Sequence, residues 1–168
     1  MRIFGLAGWS GSGKTTLLTA VLPELVARGV SVSTIKHAHH EFDIDQPGKD
    51  SWRHRQAGAH EVMVASSRRW ALMLELRDAP EPSLDELVAR LSPVDLLLVE
   101  GWKHHPHPKI EVYRPSLGKP LLYPEDPWVV AIASSEKLDA PVPLLPLGDP
   151  HAVAAFISAR LGFVRWRS

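Results

Sequence analysis

The chemistry in this chain begins at Gly8-Trp9-Ser10-Gly11-Ser12-Gly13-Lys14-Thr15, a GxxxxGKT phosphate loop. Such a loop meets anions with a row of backbone N–H groups, and its glycines let the chain curl closely around them. Lys14 is placed to reach the β/γ-phosphates of a nucleotide, and the Thr15 hydroxyl to sit on Mg²⁺. A second element is Leu96-Leu97-Leu98-Val99-Glu100-Gly101, an apolar strand ending in an acid, as in a Walker B segment. If it lies parallel to the strand before the phosphate loop, Glu100 reaches the phosphate end and can hold Mg²⁺ or orient water. Asp95 opens the same strand at the opposite end.

A third group is the polar stretch Lys36-His37-Ala38-His39-His40-Glu41-Phe42-Asp43-Ile44-Asp45. It leaves the second strand at the same sheet edge as the phosphate loop. Asp43 and Asp45 are candidates for Mg²⁺ or its water; Lys36 and His37 are candidates for phosphate. His104-His105-Pro106-His107 follows Glu100, so the histidines also allow a transition-metal site, although their spacing matches no fixed ligand template. Lys103 is a further phosphate or substrate contact.

These groups must be positioned by regular elements. Residues 1–7 read as a short apolar strand and Thr16 to Arg28 as a helix, with a stripe of Leu17, Leu18, Val21, Leu22, Leu25 and Val26. Pro23 should kink that helix. Val30 to Ile35 reads as the second strand, and Asp50 to Ala59 as a helix capped by Asp50 or Ser51. His60 to Ala65 and Trp70 to Leu76 read as a hairpin around Ser66-Ser67-Arg68-Arg69. Ser83 to Leu91 opens with a capping-box pattern, Ser83 and Glu86. Asp95 to Glu100, Ile110 to Tyr113 and Val129 to Ala133 read as strands, and His151 to Leu161 as the last helix. The alternation predicts an α/β, P-loop NTPase-like fold: a mainly parallel sheet flanked by helices, with an additional β-hairpin, in one domain over residues 1–168.

The 168 residues balance 19 basic against 19 acidic side chains, which gives no nucleic-acid footprint. Cysteine is absent, so there is neither a disulfide framework nor a thiolate metal site. No apolar run is long enough to span a bilayer, and residues 1–7 lack a signal-peptide layout. The expectation is a cytoplasmic protein without membrane or nucleic-acid partners.

The order of these motifs resembles one known family. GWSGSGKTT, Lys36-His37-Ala38-His39-His40 through Asp45, Pro47-Gly48-Lys49-Asp50-Ser51 with Arg53 and Ala57-Gly58-Ala59, and Val99-Glu100-Gly101-Trp102-Lys103 are similar to the molybdopterin-guanine dinucleotide biosynthesis adapter proteins, the MobB family. The resemblance spans residues 1–135. It implies a homodimeric P-loop protein that binds GTP with Mg²⁺, hydrolyses it weakly if at all, and partners the guanylyltransferase that attaches GMP to molybdopterin. It carries phosphate and Mg²⁺ binding to Gly8, Gly11, Ser12, Gly13, Lys14, Thr15 and Thr16, and the Walker B role to Glu100. Trp9 and Trp102 stand where the family pattern leads us to expect smaller or other aromatic residues. The chain has no NKxD guanine reader, but Ala133-Ser134-Ser135-Glu136 resembles the family's Ala-Ser-Asp segment, and Glu136 could accept from guanine N1 and N2. Trp52, Arg53, Trp102 and Lys103 are the first candidates for contact with molybdopterin itself.

Three other readings share these residues. A small-molecule kinase would use Glu100 as base and need a lid, for which Arg68-Arg69 is the compact candidate. A metal-delivery GTPase would use His37, His39, His40, His104, His105 and His107. A purely structural binding partner would use nucleotide only to set its conformation. The apolar segment Trp70 to Leu76 needs cover, from a second subunit or from the chain's own last helix.

Overall fold

The computed structural model describes residues 1–38 and 42–163. The chain falls into two compact units, one formed by Met1–His37 with Leu91–Ser168 and the other by Ala38–Arg90. The sequence reads as one domain over 1–168 because of its length. The second unit is the segment that follows the second strand.

In the first unit, six parallel strands form one sheet: β1 (Arg2–Ala7), β2 (Val32–Lys36), β5 (Leu96–Glu100), β6 (Lys109–Tyr113), β7 (Val129–Ser134) and β8 (Leu144–Pro146). Their order is β2-β5-β1-β6-β7-β8. β1 and β5 are buried along most or all of their length because each has neighbours on both sides, which explains their near-continuous apolar runs. Helices α1 (Lys14–Ala27) and α4 (Pro150–Leu161) pack together, and their Leu17, Val21, Leu25, Val153 and Ile157 join Phe4, Leu98 and Ile110 in the core. Fully burying such a side chain contributes about 1.5–3 kcal/mol.

Local chemistry sets the ends of these elements. α1 continues through Pro23 to Ala27, so the proline does not end it. α4 starts at Pro150, whose missing N–H costs nothing in a first turn, and Asp149 caps it by accepting from the Ala152 N–H at 2.9 Å. Asp95 accepts from the backbone N–H and hydroxyl of Ser31 and so ties the start of β5 to the start of β2. Strand β8 escapes the sequence reading. Its three residues end in proline and follow Pro141 and Pro143, and only the sheet edge beside β7 makes them a strand.

The second unit holds α2 (Asp50–Gln56), the antiparallel hairpin β3 (Glu61–Ala65) with β4 (Trp70–Leu74), and α3 (Leu84–Val88). The hairpin turn is built on Ser66, whose hydroxyl accepts from the N–H groups of Arg68 and Arg69. α3 begins at the expected capping box: Ser83 Oγ accepts from the Glu86 N–H, and Glu86 accepts from the Ser83 N–H. The cap of α2 is Lys49 rather than Asp50 or Ser51; Asp50 is the first helical residue, where its charge suits the helix dipole.

The phosphate loop and the acid beside it

The loop from Gly8 to Gly13 joins the end of β1 to the start of α1. Gly8 and Gly13 have φ of 143° and 98°, values that favour glycine. A Cβ on Gly8 would also run into the Val112 carbonyl oxygen. Gly13 caps α1 in the left-handed conformation and offers no side chain to the helix's first N–H groups. An uncapped helix N-terminus behind a glycine loop suits an anion. Lys14 Nζ donates to the carbonyls of Gly8 at 3.0 Å and Trp9 at 2.9 Å. Burial, opposed by Glu100 and reinforced by Lys103 and Lys36, lowers the Lys14 pKa.

Because β5 lies beside β1 with Glu100 paired to Leu6, the acid arrives at the loop end of the sheet. Glu100 is buried, and its Oε1 accepts from Thr15 Oγ1 at 2.7 Å. The Nζ of exposed Lys36, the last residue of β2, lies 3.6 Å from the same oxygen. Gly101 turns the chain away at φ 102°, and a Cβ there would meet His37 Cβ at 2.7 Å. Trp102 follows with φ 43°, its ring 4.8 Å from that of His37. A hydroxyl and a carboxylate at the head of the helix, beside a lysine and free helical N–H groups, form a donor set that fits a nucleotide phosphate with Mg²⁺.

Two neighbours of the loop are not legible in the sequence motifs. Arg114, at the end of β6, donates from Nε to the Ser12 carbonyl at 2.9 Å and lies beside Gly13. Trp9 donates its indole N–H to the Pro120 carbonyl at 2.7 Å, with Lys103 and Lys119 over its ring. Ser12 is buried in the loop and its hydroxyl has no hydrogen-bond partner among the described residues. Thr16 occupies the first turn of α1. Glu136 lies exposed just past β7, its N–H on Ser134 Oγ at 3.1 Å.

Asp43 and Asp45, the expected Mg²⁺ candidates, both meet Arg55. Both belong to the Ala38–Arg90 unit. Arg55 donates to both Asp43 oxygens, to Asp45 Oδ2 and to Glu75 Oε1. The Asp45 N–H and the Arg55 guanidinium hold the Asp43 carboxyl below its usual pKa. Arg55, on α2, pairs with both carboxylates, and the order of residues does not reveal that pairing.

The metal-delivery reading needs several histidines brought together. Among the described residues no three His, Asp or Glu side chains form a metal-holding group. His105 and His107 instead share a 3.0 Å contact between their Nδ1 atoms, with His107 buried. His39 and His40 lie outside the described residues. Arg68-Arg69, the kinase lid candidate, forms the hairpin turn. No helix among the described residues is long and apolar enough to cross a membrane.

A parallel sheet in this order, with a glycine phosphate loop after β1 and a carboxylate at the end of the adjacent strand, defines a P-loop NTPase-like α/β protein. A family model, "Molybdopterin guanine dinucleotide synthesis protein B", matches residues 3–135. The chain is 45% identical over 158 residues to an Escherichia coli protein named molybdopterin-guanine dinucleotide biosynthesis adapter protein, covering 92% of this chain and 90% of that one. A Haemophilus influenzae protein of the same name is 45% identical over 159 residues, covering 92% and 86%. The crystal structure of a MobB homologue from Bacillus stearothermophilus superposes with a TM-score of 0.69 at 26% identity, over 97% of this chain and 99% of that one. A second, titled molybdopterin-guanine biosynthesis protein B, gives 0.73 at 26% identity, over 94% and 99%. The chain belongs to the MobB family.

Proposed function

We propose that this chain is a GTP-binding adapter in molybdopterin guanine dinucleotide biosynthesis, acting in the cytoplasm on behalf of a guanylyltransferase. Its membership of the MobB family and the names of its 45% identical relatives support the pathway. The observation that carries nucleotide binding is the Thr15–Glu100 hydrogen bond at the uncapped head of α1. Lys14 would leave the Gly8 and Trp9 carbonyls for the β/γ-phosphates, and the loop N–H groups would hold the remaining oxygens. Thr15 and Glu100 would hold Mg²⁺, which supplies charge neutralisation at the phosphates when bound. Glu136 is the residue proposed to read guanine. Hydrolysis is slow in this reading, below roughly 1 s⁻¹ for the isolated protein. An arginine supplied to the transition state by a partner would raise it.

The hairpin supports a homodimer. Met63 pairs with Leu72 and Ala65 with Trp70, which puts these side chains on one face. Met63, Leu72 and Trp70 are all exposed there. A second copy of the chain would cover them.

Calorimetric titration with GTP and ATP in Mg²⁺ tests the nucleotide half. GTP is expected to bind more tightly than ATP. Lys14→Ala should weaken binding about ten- to a hundredfold, the worth of one or two charge-assisted hydrogen bonds. An ATP preference, or binding unaffected by the substitution, would overturn this reading. Pull-down of the guanylyltransferase with and without GTP tests the partner half.

A further inference from the structure

The turn between β5 and β6 hangs on a buried lysine. Lys109 is fully buried, and its Nζ donates to the Lys103 carbonyl at 2.6 Å, the His105 carbonyl at 2.9 Å and Asp126 Oδ2 at 2.9 Å. An ammonium group has three donors, so none is left for a ligand. Lysine is almost never fully buried unless paired, and the pairing here fixes the turn that follows Glu100. Gly5 in β1 completes the arrangement, because its missing side chain is where the His107 ring and Lys109 Cβ pack.

The fixed turn presents Lys103. Its Nζ stands 4.2 Å from the centroid of the Trp9 ring, within cation–π range. Trp9 is the second residue of the phosphate loop, and its carbonyl holds Lys14 Nζ. Both ammonium groups therefore stand against Trp9, one at its ring and one at its carbonyl, and the charge of Lys103 acts on Lys14. Like charges gathered beside a phosphate loop favour an added anion. That end of the loop is where Lys14 already rests, and Lys14 is the residue that reaches the outermost phosphates.

We infer, on the reading that this loop holds a nucleoside triphosphate, that Lys103 is a second cation for the terminal phosphate. Lys109 with Asp126 is the positioning pair that sets it there. The pair makes the chain discriminate triphosphate from diphosphate.

The test is calorimetric titration of the full chain with GDP and with a non-hydrolysable GTP analogue in Mg²⁺. Lys103→Ala should weaken the analogue about tenfold or more, as expected for a lost charged contact, and GDP less than about twofold. Lys103→Arg should restore most of the loss. Lys109→Met and Asp126→Asn should reproduce the selective loss while GDP binding, which requires a folded loop, persists; a purely structural role would weaken both ligands or only lower Tm. If Lys109→Met does not fold, Asp126→Asn decides the positioning role. Equal losses for both nucleotides in Lys103→Ala, or none, would overturn the inference. A wild-type chain that prefers ATP would remove the guanine reading, and the same comparison with ADP and an ATP analogue would still judge Lys103. A wild-type chain that binds neither would remove both.

Discussion

Thr15 Oγ1 donates to Glu100 Oε1 across 2.7 Å, joining the first turn of α1 to the end of β5. The two residues are 85 positions apart, and the parallel pairing of β1 with β5 is what brings them together. Both oxygens suit a hard cation. Thr15→Ala and Glu100→Gln are expected to weaken nucleotide binding about tenfold in Mg²⁺ and to change it little in EDTA. Paired titrations with and without the metal check this, and an equal loss in EDTA would refute it.

His107 makes stability depend on pH. Burial, with Lys109 and His105 adding to it and Asp126 opposing, lowers its pKa from 6.5 to about 4. The folded chain therefore keeps His107 neutral where the unfolded chain protonates it. Stability from this group is fully present above pH 6.5 and is lost progressively as pH falls towards about 4. His107→Gln should flatten the dependence of Tm on pH in that window. A slope as steep as that of the wild type would place the effect elsewhere.

Arg55 should act as the keystone of the Ala38–Arg90 unit. It joins Asp43, Asp45 and Glu75, and its forked guanidinium engages all three at once. Arg55→Lys cannot reproduce that geometry. Both Arg55→Ala and Arg55→Lys are expected to speed hydrogen exchange over residues 42–56 at neutral pH. In the wild type the same loss should come with acid. The Asp43 pKa is lowered from 3.8, so its contribution is present above that value and disappears as pH falls through the lower folded value. Exchange rates unchanged by either substitution would show that the cluster is not structural.

The exposed face of the hairpin should control oligomeric state. Replacing Met63 and Trp70 with glutamate puts charge on the face formed by the Met63–Leu72 and Ala65–Trp70 pairs. The wild type is expected to run at dimer mass and the double variant at monomer mass in light scattering across micromolar concentrations. Equal nucleotide binding by the two would show that the fold is retained. A wild-type chain at monomer mass would remove the dimer.

Local chemistry was legible in the sequence. The GxxxxGKT loop, the apolar strand before Glu100, the capping box at Ser83 and the serine hairpin turn each depend on residues a few positions apart, so spacing alone reveals them. β8 was not, since its short proline-terminated segment is a strand only by virtue of its neighbour β7. Nor was the pairing of Arg55 with Asp43, Asp45 and Glu75, which joins residues from separate elements. Lys109 reads as an ordinary strand lysine until the fold buries it against Asp126. Arg114 reaches Ser12 across 102 positions. The sequence by itself determined which residues could bind phosphate, because backbone conformation and side-chain type are local properties. Only the tertiary structure decided which charges surround that loop, because burial and ion pairing depend on neighbours that the order of residues does not reveal.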